Sequence, residues 1–169
     1  AELPPHSVVV LEVTGSMEVQ DNTVKIKNAR PGLRYDLYAG SWYTLPDFSS
    51  LSVQKSGIVP AILVPEEVPG NDIGLVFRGC IKIAKAGMYT FTLASDDGSR
   101  LIIGNKTVVV NDGRHAVEER EGCTFLMEGY HPVRVEFFQA GGGSELQLFM
   151  QGPDSERTVI PENMLWHEE

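Results

Sequence analysis

Apolar residues recur at a period of two in short runs along most of this chain. Leu75, Phe77, Ile81 and Ile83 share one side of a run, and in the next Tyr89, Phe91 and Leu93 alternate with Thr90 and Thr92. Further on, Val133, Val135 and Phe137 alternate with Arg134 and Glu136, and Leu146, Leu148 and Met150 with Gln147 and Phe149. Successive side chains of a strand point to opposite faces, so this period marks half-buried strands. Few windows carry the i, i+3, i+4, i+7 spacing of an amphipathic helix, and Gly and Pro interrupt the runs at short intervals. The pattern predicts an all-β chain, an antiparallel β-sandwich or barrel.

Strands are expected at Leu75 to Ile83, Met88 to Ala94, Arg100 to Ile103, Lys106 to Val110, Val117 to Glu119, Cys123 to Met127, Val133 to Phe137 and Leu146 to Met150. Val159-Ile160-Pro161 closes the domain. Ahead of these, Val8 to Val13 and Thr23 to Lys27 read as two strands, and Leu33 to Phe48 is rich in aromatics. Ser49 to Asp72 reads as loop, because Pro60, Pro65 and Pro69 limit regular structure. Arg30-Pro31-Gly32 marks a break. It divides residues 1–31, a connecting segment or extra strands from a preceding domain, from the sandwich domain over residues 32–169.

A chain of 169 residues suits one domain with a self-sufficient core. Its 23 acidic residues against 14 basic ones give a net charge of −9, which argues against a nucleic-acid or anionic-membrane surface. No apolar run reaches the ~18 residues of a membrane-spanning helix. The opening Ala1-Glu2-Leu3-Pro4-Pro5 lacks the regions of a signal peptide, as expected of a mature form or an excised fragment. Cys80 and Cys123 are too few for a disulfide framework; they form one bridge or two packed free thiols.

The run Ala94-Ser95-Asp96-Asp97-Gly98-Ser99-Arg100-Leu101 follows a well-patterned strand and delivers two adjacent carboxylates to one end of a sheet. Neighbouring side chains of an extended chain diverge, so both reach one cation only if the backbone turns sharply between them, as a cis peptide would make it do. The pair either grips calcium or forms an ordinary Asp-Asp-Gly turn. Calcium takes six to eight oxygen ligands, and the loop from Gln139 to Ser144, with its amide oxygen and three glycines, could supply more of them. Asn111-Asp112-Gly113-Arg114-His115 offers polar side chains for a sugar, or a hairpin turn. Trp42, Tyr43 and Trp166 could stack on a pyranose or fill the core and its rim.

Hydrolytic chemistry finds little support. Glycoside cleavage needs two carboxylates about 5–10 Å apart across a bond, and consecutive aspartates are poorly suited to that. The sequence has no Gly-x-Ser-x-Gly elbow, and His6, His115, His131 and His167 lack zinc-ligand spacing. Asn105-Lys106-Thr107 is a glycosylation sequon, relevant only in a compartment that reads it.

Gly79-x-Ile81-x-Ile83-x-x-x-Gly87-x-Tyr89-x-Phe91, followed by Ser95-Asp96-Asp97-Gly98-Ser99-Arg100-Leu101, resembles the protective-antigen-type domain family. Asn111-Asp112-Gly113-x-His115, Leu126-x-x-Gly129-Tyr130-x-Pro132-Val133 and Val135-Glu136-Phe137-Phe138 add to the likeness, which runs from about Gly32 to Trp166. The resemblance implies a lectin-like β-sandwich in which two cis-linked aspartates hold calcium and the ion meets sugar hydroxyls. Carried over by position, Asp96, Asp97, Gln139, Gly141 and Gly143 would be the metal ligands. Asp96, Asp97, Arg114, His115 and Gly142 would meet the sugar. Gln139 stands where an asparagine is expected, and the triple glycine replaces a loop that carries an aromatic. Gly32-Leu33-x-Tyr35, Gly40-x-Trp42 and Leu45-Pro46-Asp47-Phe48 resemble versions appended to bacterial hexosaminidase-type glycosidases. The expectation is therefore a non-catalytic carbohydrate-binding module with calcium as cofactor. It would be monomeric, exported, and accessory to a glycoside hydrolase in a multidomain parent. The alternative is a structural or interdomain-docking module without sugar affinity, which an exposed apolar patch around Phe125 and Met127 would favour.

Overall fold

The computed structural model describes residues 21–169, which form two facing antiparallel sheets. The larger sheet contains β1 (Ala29–Pro31), β2 (Leu33–Ala39), β3 (Lys55–Val59), β4 (Ile73–Ile83), β6 (Ser99–Ile103), β7 (Lys106–Asn111), β9 (Gly129–Gln139) and β12 (Leu165–Glu168). The smaller contains β5 (Gly87–Asp96), β8 (Glu118–Leu126), β10 (Glu145–Gln151) and β11 (Thr158–Val159), in the order β11-β10-β5-β8. In the larger sheet the path is β1-β12-β4-β9-β6-β7, and β3 hangs on β2. One edge of β4 is divided: β2 pairs with its Ile73–Arg78 half and β12 with Cys80 and Ile81.

The period-two pattern explains the layers. Leu75, Phe77, Ile81 and Ile83 of β4 and Val133, Val135 and Phe137 of β9 turn inward from the larger sheet. They meet Tyr89, Phe91 and Leu93 of β5 and Leu146, Leu148 and Met150 of β10. Removing these side chains from water is the main driving force for closing the two layers. A second apolar cluster lies outside the larger sheet, where Phe48, Trp42, Leu45 and Leu51 fold back over Tyr38 and Val76. Gly74 permits this, since a Cβ there would come within 2.5 Å of the Phe48 ring. On the same outer face the buried Glu136 carboxylate is held between Arg100 and Arg134.

Several local expectations are corrected. The two strands expected at Val117 to Glu119 and Cys123 to Met127 are merged in one continuous strand, β8, over Glu118–Leu126. Ser49 to Asp72 contains β3, which pairs with β2 alone, and the chain beyond Pro161 adds β12. Thr23 to Lys27 makes only an isolated bridge, Val24 to Tyr130, because Asp21 accepts from the Thr23 amide and hydroxyl and Asn28 takes a positive φ of 49°. Within the segment assigned to residues 1–31, Ala29–Pro31 pairs with β12; Val8 to Val13 lies outside the described residues. The turn after Asn111 is no hairpin, because β7 and β8 belong to different sheets. Cys80 and Cys123 are both free, the first buried and the second exposed, and burial pushes the Cys80 thiol up to about 11. No helix among the described residues is long and apolar enough to cross a membrane.

Truncating Phe137, which is fully buried between the sheets, is expected to cost about 3–5 kcal/mol, read as a lower urea midpoint for Phe137→Ala. A thiol reagent at neutral pH should label only Cys123 in the native protein and both cysteines in denaturant.

Candidate functional site

β5 lies in the small sheet and β6 in the large one, so the chain crosses between layers within Asp97-Gly98. The Asp96–Asp97 peptide is cis. Gly98 is packed too closely for a side chain: a Cβ would collide with the Phe138 ring and lie 3.0 Å from Asp112 Oδ1. Beneath the turn a buried polar layer supports it. The Ser95 and Ser99 hydroxyls are 2.7 Å apart, and Asn111 Nδ2 donates to Ser95 Oγ at 3.0 Å and to the Glu118 carbonyl at 2.9 Å.

Asp97 is 4% exposed. Its Oδ1 accepts from the His115 amide at 3.1 Å and its Oδ2 from the Ala140 amide at 2.9 Å. These two bonds replace the water lost on burial and fasten two further loops to the acidic turn. Asp96 is half-buried and faces Gly143, where a Cβ would sit 3.2 Å from Asp96 Oδ2. Burial, and then the neighbouring Asp97 charge, push the Asp96 carboxyl above the usual range, with Gln139 and His115 pulling the other way.

Gln139 is fully buried. Its Nε2 donates to the Gly141 carbonyl at 3.0 Å, while its Oε1 is buried without a hydrogen-bond partner. A lone acceptor in the interior normally has a donor or a cation to meet. Gly141, Gly142 and Gly143 follow in an exposed loop, Gly142 with a φ of 95°. Two carboxylates, an orphaned amide oxygen and loop carbonyls make a hard, all-oxygen donor set that fits a calcium-sized cation. No group of three or more His, Cys, Asp or Glu residues among the described ones is placed to hold a metal, so any such site must draw on amide and carbonyl oxygens.

The remaining sequence candidates are arranged differently from one another. His115 contributes its backbone amide to Asp97, and its ring nitrogens face the Ala116 and Asn111 carbonyls at 2.8 and 3.2 Å. Arg114 is turned toward the 40–45 loop: its Nε donates to the Trp42 carbonyl at 2.7 Å and its Nη2 to Ser41 Oγ at 3.1 Å. Trp42 packs edge-on against Phe48, whereas Tyr43 stands in solvent beneath the Arg114 guanidinium. Trp166 lies away from this end, beside Tyr130 and Lys82. The sequence reading missed the amides of His115 and Ala140, since any residue type can donate from its backbone. Asp112, which the sequence offers as a polar side chain for a sugar or as part of a turn, instead accepts from the Leu45 amide at 2.7 Å through its Oδ1 and ties in the 40–45 loop.

Residues 62–163 match the PA14 domain. The fold resembles the PA14 domain of the antifreeze protein MpAFP at 18% identity, covering 89% of this chain and 97% of that one, with a TM-score of 0.72. A PA14 sugar-binding domain from an RTX adhesin aligns at 18% identity over 81% of this chain and 98% of its own, with a TM-score of 0.69. The A domain of epithelial adhesin 9 from Candida glabrata, solved with Galβ1-3GlcNAc, aligns at 14% identity over 89% and 96%, with a TM-score of 0.67. No curated protein matches the sequence.

The raised Asp96 carboxyl carries a sign for stability. The native state binds that proton more tightly than the unfolded chain, so stability falls as pH climbs from the ordinary 3.8 through the folded value. In metal-free buffer at pH 7, Asp96→Asn is therefore expected to melt about 1–2 °C above wild type, a modest gain because the group is half-exposed. The difference should vanish near pH 3, as thermal melts at both pH values would show.

Proposed function

Because this chain belongs to the PA14 domain family, we propose that it is a non-catalytic carbohydrate-binding module that uses calcium. The observation that carries this reading is the buried, partnerless Oε1 of Gln139 beside the Asp96-Asp97 turn. Asp96, Asp97 and Gln139 Oε1, with the carbonyls of Gly141 and Gly143, would hold the ion. Bound there, calcium offers open coordination positions that take two vicinal sugar hydroxyls. Asp97 serves mainly to shape the site, since both its oxygens already accept backbone amides. Asp96 supplies the less encumbered carboxylate. Gly142 leaves the rim open, and His115 contributes through its backbone. The consecutive acids share one turn instead of flanking a glycosidic bond, which supports binding over hydrolysis. The sugar-binding RTX adhesin domain and the adhesin solved with Galβ1-3GlcNAc lend support to a glycan ligand. We read the module as an exported, monomeric accessory to a glycoside hydrolase, where it would concentrate the enzyme on its glycan.

One observation favours the second reading, an interdomain-docking module. Met88 and Phe125 are cross-strand partners on the outer face of the small sheet, and Met88 and Met127 are 45% and 37% exposed.

Thermal melts with calcium and with chelator, paired with a glycan array in both conditions, test the proposal. Calcium at a hundredfold over Kd should add about 2.7 kcal/mol of stability. Asp96→Asn should abolish the rise and the glycan signal. Asp97→Ala is a poorer test because it strands two half-buried amides, each worth up to about 1–3 kcal/mol. Neither a shift nor a signal in wild type would reject the calcium-dependent carbohydrate reading in favour of docking.

A further inference from the structure

Tyr43 is 76% exposed, yet its ring is held in place. The Arg114 guanidinium covers one ring face, 3.9 Å from its centre. Two hydrogen bonds, to the Trp42 carbonyl and Ser41 Oγ, fix that guanidinium in turn. Trp42 is wedged against Phe48, with ring centres 6.2 Å apart, and the Leu45 amide is tied to Asp112. The platform is linked to the acidic turn along two routes. The residue after Arg114 is His115, whose amide meets Asp97, and Asp112 lies directly against Gly98.

We propose that Tyr43 is a stacking platform for a further sugar unit of the glycan held at Asp96 and Asp97, with Arg114 as its positioning residue. The proposal rests on the carbohydrate reading above. The outward ring face carries the negative side of the aromatic quadrupole, which suits the weakly positive C–H face of a pyranose. The Gly141-Gly142-Gly143 loop has no side chain to provide such a surface on its side of the turn. Fixing the ring before binding removes the rotamer entropy that a free surface tyrosine would lose on contact. The ligand class is therefore an oligosaccharide of two or more units, bound through hydroxyls at one unit and through an apolar face at another.

The test is an array of immobilised mono-, di- and trisaccharides sharing the same terminal sugars (galactose, glucose, mannose, N-acetylglucosamine and fucose), probed in calcium. Wild type should prefer the longer glycans over the matching monosaccharide. Tyr43→Ala should lose roughly three- to tenfold on the longer glycans and nothing on the monosaccharide. Its melting temperature should be unchanged, because the side chain is exposed. Tyr43→Trp should restore the preference, and Arg114→Ala should lose it in the same length-dependent way. Trp166→Ala, altering the separate 480 Å³ cleft lined by Pro31, Ile58 and Pro60, should behave as wild type. A Tyr43→Ala protein that keeps the wild-type length preference overturns the platform while leaving the acidic-pair reading intact. An Asp96→Asn protein that binds like wild type, or a silent wild type, overturns that reading and the platform with it.

Discussion

The Asp97 carboxylate organises one end of this molecule. It is almost fully buried and accepts two backbone amides, one from the loop after β7 and one from the loop after β9. An unsatisfied carboxylate in that position would be strongly destabilising, so the two loops are held as firmly as the charge needs them. Three connections that are far apart in sequence therefore converge at one point. A fourth, the 40–45 loop, joins through Asp112. Asp96 is left with a free face and a like charge at its shoulder, the arrangement that a cation relieves.

The core was legible in the sequence because each central strand shows its burial on every second residue. Phe77 on β4, Phe91 on β5 and Phe137 on β9 are apolar where the sheet faces inward, with no competing helical period. The short outer elements were less legible. β3 is Lys-Ser-Gly-Ile-Val, whose composition favours no strand, and it exists because β2 offers it a ladder. β12 turns a histidine inward: His167 is buried and bonded through Nδ1 to the Gly32 carbonyl, a polarity that hides the alternation. The merger of two expected strands into β8 has a similar origin. Its first half, Glu118 to Glu121, has no apolar residue to signal which side faces the core.

The candidate site divides along a comparable line. Its acidic residues are visible as side-chain chemistry, and so are Gln139 and the glycines. The contacts that position them are backbone amides and a layer of Ser95, Ser99 and Asn111, residue types that occur in any turn. The extra methylene of Gln139 is accommodated by a local bond: Nε2 donates back to the Gly141 carbonyl and leaves Oε1 enclosed. Arg114 and Tyr43 show the limit of residue-type reasoning most clearly. The sequence presents them as separate candidates seventy-one positions apart, and only the folded loops bring the guanidinium onto the ring.

The pairing of β1 with β12 has a mechanical consequence. Ala29 lies opposite Glu168, Pro31 lies opposite Trp166, and Arg30 reaches Glu169 at 3.0 Å. Tension drawn through the backbone at Ala29 and Glu168 enters at the same end of this antiparallel pair. It would part the ladder like a zipper, one bond at a time. The acidic turn hangs instead from β5 and β6, each flanked by a strand on both sides. A pull applied there runs along the strands and loads many hydrogen bonds together. The domain is thus stiff where it presents its carboxylates and compliant along the β1–β12 ladder.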